Sequence, residues 1–160
     1  MRSWRNGPIS LDPTLVKDMP TRGELKQIAR TRLKEAKALF EKGLYDGSCY
    51  LAGYVVELAL KARICKTLDI DEYPDSGEIS KSFKTHNLDQ LLKLSGLEKK
   101  FDKEKAKNPG LEVNWPLVTT WSEQLRYNPI GTSKRQNAID MINALENQNN
   151  GVFIWIKKRW

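Results

Sequence analysis

A single carboxylate interrupts an otherwise apolar stretch of this sequence. Residues 47–60 read GSCYLAGYVVELAL, and Glu57 is the only charged residue among them. A carboxylate in such surroundings needs a partner or a narrow face exposed to water. Spacing offers Lys61, one helical turn further on, and Arg126 offers a partner from another part of the chain. We therefore predict a buried, paired charge at Glu57; the alternative is a general base, which requires an open cleft.

The only histidine, His86, stands in the segment KTHNL at positions 84–88, where a helix is predicted to begin. An imidazole at that place can form a structural hydrogen bond, contact a phosphate, or move a proton. Lys81, Lys84 and Arg126 are the candidates for holding an anionic group beside it. No cluster of cysteine and histidine accompanies His86, so we predict no metal site and no cofactor.

Composition is that of an ordinary globular protein, with 160 residues, 39% hydrophobic and 29% charged. The formal net charge of +7 is compatible with an anionic partner, although no RNP, GXXG or zinc-finger motif is present. Cys49 and Cys65 fall on one predicted helix, about 24 Å apart, so they are predicted to be free thiols. No apolar leader or membrane-spanning window is found, and a cytoplasmic location is expected, without a membrane partner.

Periodicity predicts two long helices after an extended N-terminal arm at residues 1–20, which contains three of the prolines. Residues 21–160 are then predicted to form one helical domain. Thr21 and Glu24 form a capping box for the first helix, which ends before Gly43. Asp46 is predicted to cap a second helix that is apolar on nearly all sides and therefore lies between neighbours. Gly53 would allow close approach of another helix or of a partner subunit.

The second half of the chain is predicted to be helical as well. Thr85 is predicted to cap a short helix that ends at Gly96, and residues 97–112 to form a solvated helix or loop. Asn114 and Pro116 are predicted to open a further helix, and Ser133 with Gln136 to cap the next. With no alternation of period two, the chain is all-α. Four tryptophans are assigned to the core, with base stacking as the alternative: Trp115, Trp121, Trp155 and Trp160.

Five segments in this order resemble the HEPN family (higher eukaryotes and prokaryotes nucleotide-binding) over about residues 22–158. They are ARTRLKEAKALF at 29–40, GLYDG at 43–47, YVVELALK at 54–61, KTHNL at 84–88 and WSEQLRY at 121–127. The resemblance implies an up-and-down bundle of four to five helices that usually pairs as a homodimer. Many members are RNA-cleaving toxins or defence nucleases that need no metal, and others bind nucleotides, nucleic acid or a partner nucleotidyltransferase.

The family's catalytic pattern is an arginine followed, after four to six residues, by a histidine. The corresponding positions before His86 hold Lys81, Ser80 and Ile79, so the arginine is missing. A lysine keeps the charge but lacks the planar fork that grips a phosphate with two hydrogen bonds.

Three hypotheses follow from the resemblance and from the missing arginine. The first is a protein that binds nucleotide, RNA or a partner protein in a toxin–antitoxin or defence setting and is not catalytic. The second is a metal-independent endoribonuclease that uses His86 with Lys81 or Arg126. The third is a protein-interaction module alone.

Overall fold

The computed structural model describes residues 19–74 and 80–160, and this part of the chain contains helices and no strands. Its α-helices are α1 (Arg22–Glu41), α2 (Tyr45–Leu68), α3 (Ser80–Phe83), α4 (Leu88–Leu94), α5 (Glu98–Lys105), α6 (Pro109–Thr119), α7 (Arg135–Glu146) and α8 (Val152–Lys157), with a 3₁₀ helix at Glu123–Tyr127. The all-α prediction is confirmed. Four of these helices exceed ten residues and form the bundle, and the short ones make its connections.

Two further expectations from the sequence concern the N-terminal arm and the possibility of a membrane-spanning helix. The N-terminal arm, apart from its last two residues, lies outside the described residues. None of the described helices has the length and apolar character required to cross a membrane.

The boundaries of α1 follow from local hydrogen bonds. Thr21 Oγ1 accepts from the Glu24 backbone N–H at 3.2 Å, and Glu24 Oε2 accepts from the Thr21 N–H at 2.7 Å, which confirms the predicted capping box. The helix ends before Gly43, whose φ of +74° lies in the left-handed region that glycine adopts without strain. This sharp end lets α2 return antiparallel along α1.

Helix α2 is the centre of the bundle, as its apolar sequence predicts. It packs against α1, α4, α7 and α8, and thirteen of its 24 residues are buried. Cys49 and Cys65 are both buried free thiols, as expected. Burial raises the pKa of the Cys65 thiol to about 11, so this thiol is inert at neutral pH.

Gly53 does allow a close approach, but the group that approaches belongs to the same chain. A Cβ placed on Gly53 would lie 2.1 Å from Cδ1 of Trp121. The Trp121 indole N–H donates to the backbone oxygen of Tyr50 at 2.9 Å, which fixes the ring against α2. The contact predicted for another helix or a partner subunit is therefore made by a tryptophan that follows α6.

The predicted cap at Asp46 is wrong, because this carboxylate forms hydrogen bonds with residues far away in the sequence. The N-cap of α2 is Leu44, without a side-chain hydrogen bond. Asp46 instead accepts from the backbone N–H groups of Gly131 (2.6 Å) and Ser133 (2.7 Å). Ser133 consequently does not cap α7; that helix begins at Arg135, and Asn137 Oδ1 accepts from the N–H of Lys134 at 2.7 Å.

Helix α4 begins two residues later than predicted. Its N-cap is Asn87, whose Oδ1 accepts from the Gln90 N–H at 2.9 Å. Thr85 acts one step earlier, since its Oγ1 accepts from the Asn87 N–H at 3.1 Å. His86 therefore lies in the connection before α4 and not in its first turn.

Helix α6 begins earlier than predicted. Asn108 caps it and Pro109 occupies its first turn, while Pro116 lies inside the helix. The pair Asn108–Pro109 carries the same start signal as Asn114 and Pro116, and the earlier pair sets the boundary. Within 97–112, α5 is solvated except for Phe101, which is fully buried with its ring centroid 4.9 Å from those of Trp115 and Trp155.

Replacing Gly53 with alanine is expected to lower the free energy of unfolding by about 1–3 kcal/mol, because the new methyl group would overlap Trp121. The measurement is urea denaturation followed by tryptophan fluorescence. Gly23→Ala is the matched control, since a Cβ there meets only Thr21 Oγ1 at 4.0 Å. Equal stability of the two variants would contradict the close contact.

Asp46→Asn is expected to narrow the stability difference between neutral and acidic pH. Hydrogen bonds from the N–H groups of Ser133 and Gly131 lower the pKa of Asp46 in the folded protein. Its stabilisation is thus present above the unfolded pKa of about 3.9 and is lost as pH falls through the lower folded value. In denaturant titrations from pH 7 to 2, the free energies of unfolding of the wild type and the variant should differ by less than about 1 kcal/mol at neutral pH, because water screens the group. The difference should vanish in acid.

Candidate functional site

An open cleft of about 440 Å³ lies between the start of α4 and the end of α6. Its wall combines basic, acidic and hydroxyl-bearing side chains with one indole. The lining residues are Lys84, Thr85, His86, Asn87, Leu88, Asp89, Thr119, Thr120, Trp121, Ser122 and Glu123. The cleft thus brings His86 and Lys84, two of the residues singled out in the sequence, into one site.

The buried charge of α2 lies directly behind this cleft. Glu57 is only 1% exposed, and its Oε1 accepts from Lys61 Nζ at 2.7 Å. Both carboxylate oxygens also lie 3.0 Å from Nδ1 of His86. The partner on the same helix was anticipated from spacing, whereas the imidazole was not. Glu57 is therefore held between a cation on its own helix and the ring that faces the cleft.

His86 is oriented by this carboxylate and remains accessible. Its side chain is 48% exposed although it contacts a nearly inaccessible group. With Nδ1–H donating to Glu57, Nε2 has no partner among residues 19–74 and 80–160. A carboxylate at one imidazole nitrogen fixes the ring and the tautomer, which prepares the other nitrogen for a ligand or a proton.

Arg126 does not pair with Glu57. It lies on the 3₁₀ helix with an exposed side chain, and its guanidinium carbon is 5.0 Å from the centroid of the Tyr127 ring. Hydrogen bonds with the hydroxyls of Tyr127 and Tyr50 raise its pKa. The short 3₁₀ helix directs this side chain outward, so the structure places Arg126 beside the cleft and away from the buried carboxylate.

Glu123 interacts electrostatically with both His86 and Arg126. The pKa of its carboxyl is lowered first by its own backbone N–H and, to a smaller extent, by Gln124, His86 and Arg126. His86 and Arg126 are thus both within electrostatic range of one carboxylate. This relation was not found from the sequence, since Glu123 stands 37 positions from His86 and carries no recognisable motif.

The positions that would carry the family's arginine do not line the cleft. Lys81 is exposed on α3, and Ser80 is buried in the same short helix. Ile79 lies outside the described residues. Among the described residues that line the cleft there is no arginine.

An aromatic cluster, also missed from the sequence, borders the site. Tyr50 and Tyr54 have ring centroids 6.4 Å apart and nearly parallel planes, and Tyr54 is stacked in the same way on Trp121. Burial and the nearby Glu57 raise the pKa of Tyr54. The spacing of the two tyrosines on a helix was the available signal. The four tryptophans assigned to the core are at most 8% exposed: Trp115, Trp121, Trp155 and Trp160.

Comparison with known proteins agrees with this architecture. A family model described as HEPN domain matches residues 23–148, from the first turn of α1 to just beyond α7. The match includes Glu57, His86 and the whole cleft. No curated protein and no solved structure matches the chain significantly.

Glu57→Gln is expected to lower the free energy of unfolding by about 2–4 kcal/mol, because Lys61 would lose its counter-charge inside the bundle. Chemical denaturation of the purified variant measures this. Glu41→Gln is the matched control, since Glu41 is exposed at the end of α1, where losing a negative charge costs nothing. A loss no larger than in this control would show that the buried carboxylate is not held as described.

Proposed function

The chain belongs to the HEPN domain family, and from this premise we propose that it binds a phosphate group of RNA or of a nucleotide in the cleft beside His86. Family membership supports a role with RNA or nucleotides, or in protein interaction, in general terms. The proposal of a phosphate site rests on one observation, the contact of Glu57 with His86. Nδ1 of His86 lies 3.0 Å from each carboxylate oxygen of Glu57.

The imidazole is suited to an anion because its two nitrogens have different surroundings. In the doubly protonated ring, Nδ1–H donates to Glu57 and Nε2–H is available to a phosphate oxygen. The ordered carboxylate removes most of the rotational freedom that the ring would otherwise lose on binding. A charge-assisted hydrogen bond from a fixed donor is among the stronger contacts that a protein offers to phosphate.

The rest of the cleft suits one phosphate with its sugar better than a long polyanion. Lys84 adds a positive charge, and hydroxyl groups of threonine and serine lie opposite. Asp89 and Glu123 contribute negative charge, and Asp89 accepts from the Trp115 indole N–H at 3.0 Å. Such mixed charge supports recognition of a single ionic group with neighbouring hydroxyls.

A metal-independent endoribonuclease is the second candidate, and one observation favours it. An imidazole held by a buried carboxylate is an arrangement that supports general acid–base catalysis. In that reaction Nε2 would take the proton of a 2′-hydroxyl, and Arg126 or Lys81 would stabilise charge on the phosphate. The lack of a lining arginine supports binding without cleavage as the first proposal.

The biological setting extends the same proposal. We propose a homodimer acting with RNA, or with a nucleotidyltransferase-type partner, in a toxin–antitoxin or defence system. Support for a protein contact comes from Leu44 and Ile130, which border one groove and are 56% and 102% exposed. A protein-interaction module without a ligand at His86 is the corresponding alternative.

His86→Asn is expected to lower affinity for a labelled single-stranded RNA at least tenfold, which is about 1.4 kcal/mol. Asparagine places an amide N–H where Nδ1 stands, so the bond to Glu57 is kept while Nε2 is removed. Fluorescence anisotropy in EDTA measures binding, and denaturation checks that the fold is retained. Lys103→Gln, an exposed change on α5, is the control for loss of one charge.

The same preparations decide between the proposals when the RNA is also analysed for cleavage. Cleavage by the wild type that is absent in His86→Asn would establish the endoribonuclease. Unchanged affinity in His86→Asn would reject the phosphate site and favour protein interaction.

A further inference from the structure

A second set of basic side chains lies away from the His86 cleft, where the first turns of α1 meet the last turns of α2. It consists of Arg22, Lys26, Arg30, Arg63 and Lys66, here called the α1–α2 cationic surface. We propose that this surface binds the phosphate backbone of RNA. The inference goes beyond the proposed function, because it concerns a different surface and does not require a ligand at His86.

The three residues of α1 form a row along the helix. Arg22, Lys26 and Arg30 are spaced four residues apart, so successive side chains lie about 6 Å further along one side. Lys26 Nζ is 5.7 Å and the Arg30 guanidinium carbon 5.0 Å from the centroid of the Trp160 ring. Trp160 is itself 8% exposed, packed edge-on against Phe153. Two of the three cations in this row therefore lie over one buried aromatic ring.

The two residues of α2 are held against the same C-terminal segment. Arg63 donates to the backbone oxygen of Arg159 at 2.8 Å, and Lys66 donates to the same oxygen at 3.2 Å. Both cations thus use a neutral carbonyl group, which orients their side chains without cancelling their charge.

None of the five cations forms an ion pair with a carboxylate in the described part of the chain, although ion pairs form elsewhere, as between Lys37 and Glu146. Asp71 and Glu72 border the surface, but they approach α1 through the backbone: the Asp71 carbonyl accepts from the Arg22 N–H, and Glu72 forms an isolated bridge with Thr21. Nε of Arg22 is buried without a hydrogen-bond partner.

The electrostatic consequence is visible at Lys26. Burial lowers its pKa, and the charges of Arg22, Lys66 and Arg30 lower it further. Burial and Arg22 likewise lower the pKa of Arg63. The surface therefore concentrates mutually repelling charges that an external anion would stabilise.

A phosphate backbone is the anion that fits these features. Three of the five residues are arginines, whose planar fork matches phosphate oxygens with two hydrogen bonds. A row of charges at regular spacing also corresponds to a polymer that carries one charge per nucleotide and releases counterions when bound.

The test compares a variant that lacks three of these charges with a control variant that loses three positive charges elsewhere. The variant is Lys26→Gln/Arg30→Gln/Lys66→Gln, which leaves the more buried Arg22 and Arg63 in place. The control is Lys99→Gln/Lys100→Gln/Lys103→Gln on α5, where all three side chains are exposed and form no ion pair with another described residue. Affinity for a 30-nucleotide single-stranded RNA is measured by anisotropy between 50 and 300 mM salt. For single strands each phosphate contact contributes about 0.7 to the slope of log K against log salt, so the first variant should lose about 2.

The control triple should keep the wild-type slope. Equal slopes in both triples would mean that only total charge matters and would overturn the proposal, as would an unchanged slope in the first variant. Loss of binding to phosphatidylserine vesicles or to polyglutamate, with RNA binding intact, would overturn it in favour of a lipid or protein ligand. The double variant Lys26→Arg/Lys66→Arg, which conserves the charge and leaves Arg30 unchanged, should have the wild-type slope. His86→Asn removes at most one phosphate contact, so its slope should fall by no more than about 0.7, which separates the cleft from this surface.

Discussion

The burial of one carboxylate constrains the arrangement of the whole bundle. Glu57 lies on the central helix of the bundle, and a charge taken out of water there is tolerated only with good partners. Lys61 meets part of that need from the same helix, while His86 must come from the chain segment that precedes α4. The packing of α4 on α2 and the orientation of the imidazole are thus two consequences of one requirement. His86, the side chain proposed to bind phosphate, is positioned by the same contact that makes the core charge acceptable.

The cleft owes its shape to side chains that end helices. Thr85 accepts from the Asn87 N–H, and Asn87 accepts from the Gln90 N–H in the first turn of α4. His86 stands in the connection between Thr85 and Asn87, where its ring reaches both Glu57 and water. On the opposite wall, Gly53 admits the Trp121 ring, which ends the path of α6 close to α2. Such contacts determine where loops run, and loops that are fixed in this way carry binding groups more accurately than mobile ones.

Sequence reasoning succeeded where the cause of a structure is local. The capping box of Thr21, the end at Gly43 and the enclosed character of α2 depend on neighbours within a few positions. It failed where a residue with a local signature has a distant partner: Asp46 resembles an N-cap but binds a loop more than eighty positions away. The same limit hid the contact of Glu57 with His86, because spacing suggests Lys61 and the charge of Arg126 but says nothing about which loop packs behind the helix.

In the two proposals, affinity and positioning belong to different parts of this molecule. Contacts with phosphates supply affinity in proportion to the cations that they neutralise. The cations of the α1–α2 surface, which form no ion pair with a carboxylate of residues 19–74 or 80–160, are suited to that task. The His86 cleft has mixed charge and a single oriented donor, so in this proposal it contributes one phosphate contact and fixes where that phosphate would lie. Cleavage would need, in addition, a fixed guanidinium at that phosphate. Since Lys81 stands outside the cleft and Arg126 is exposed beside it, the geometry supports a site that holds a phosphate without the second group that would stabilise its transition state.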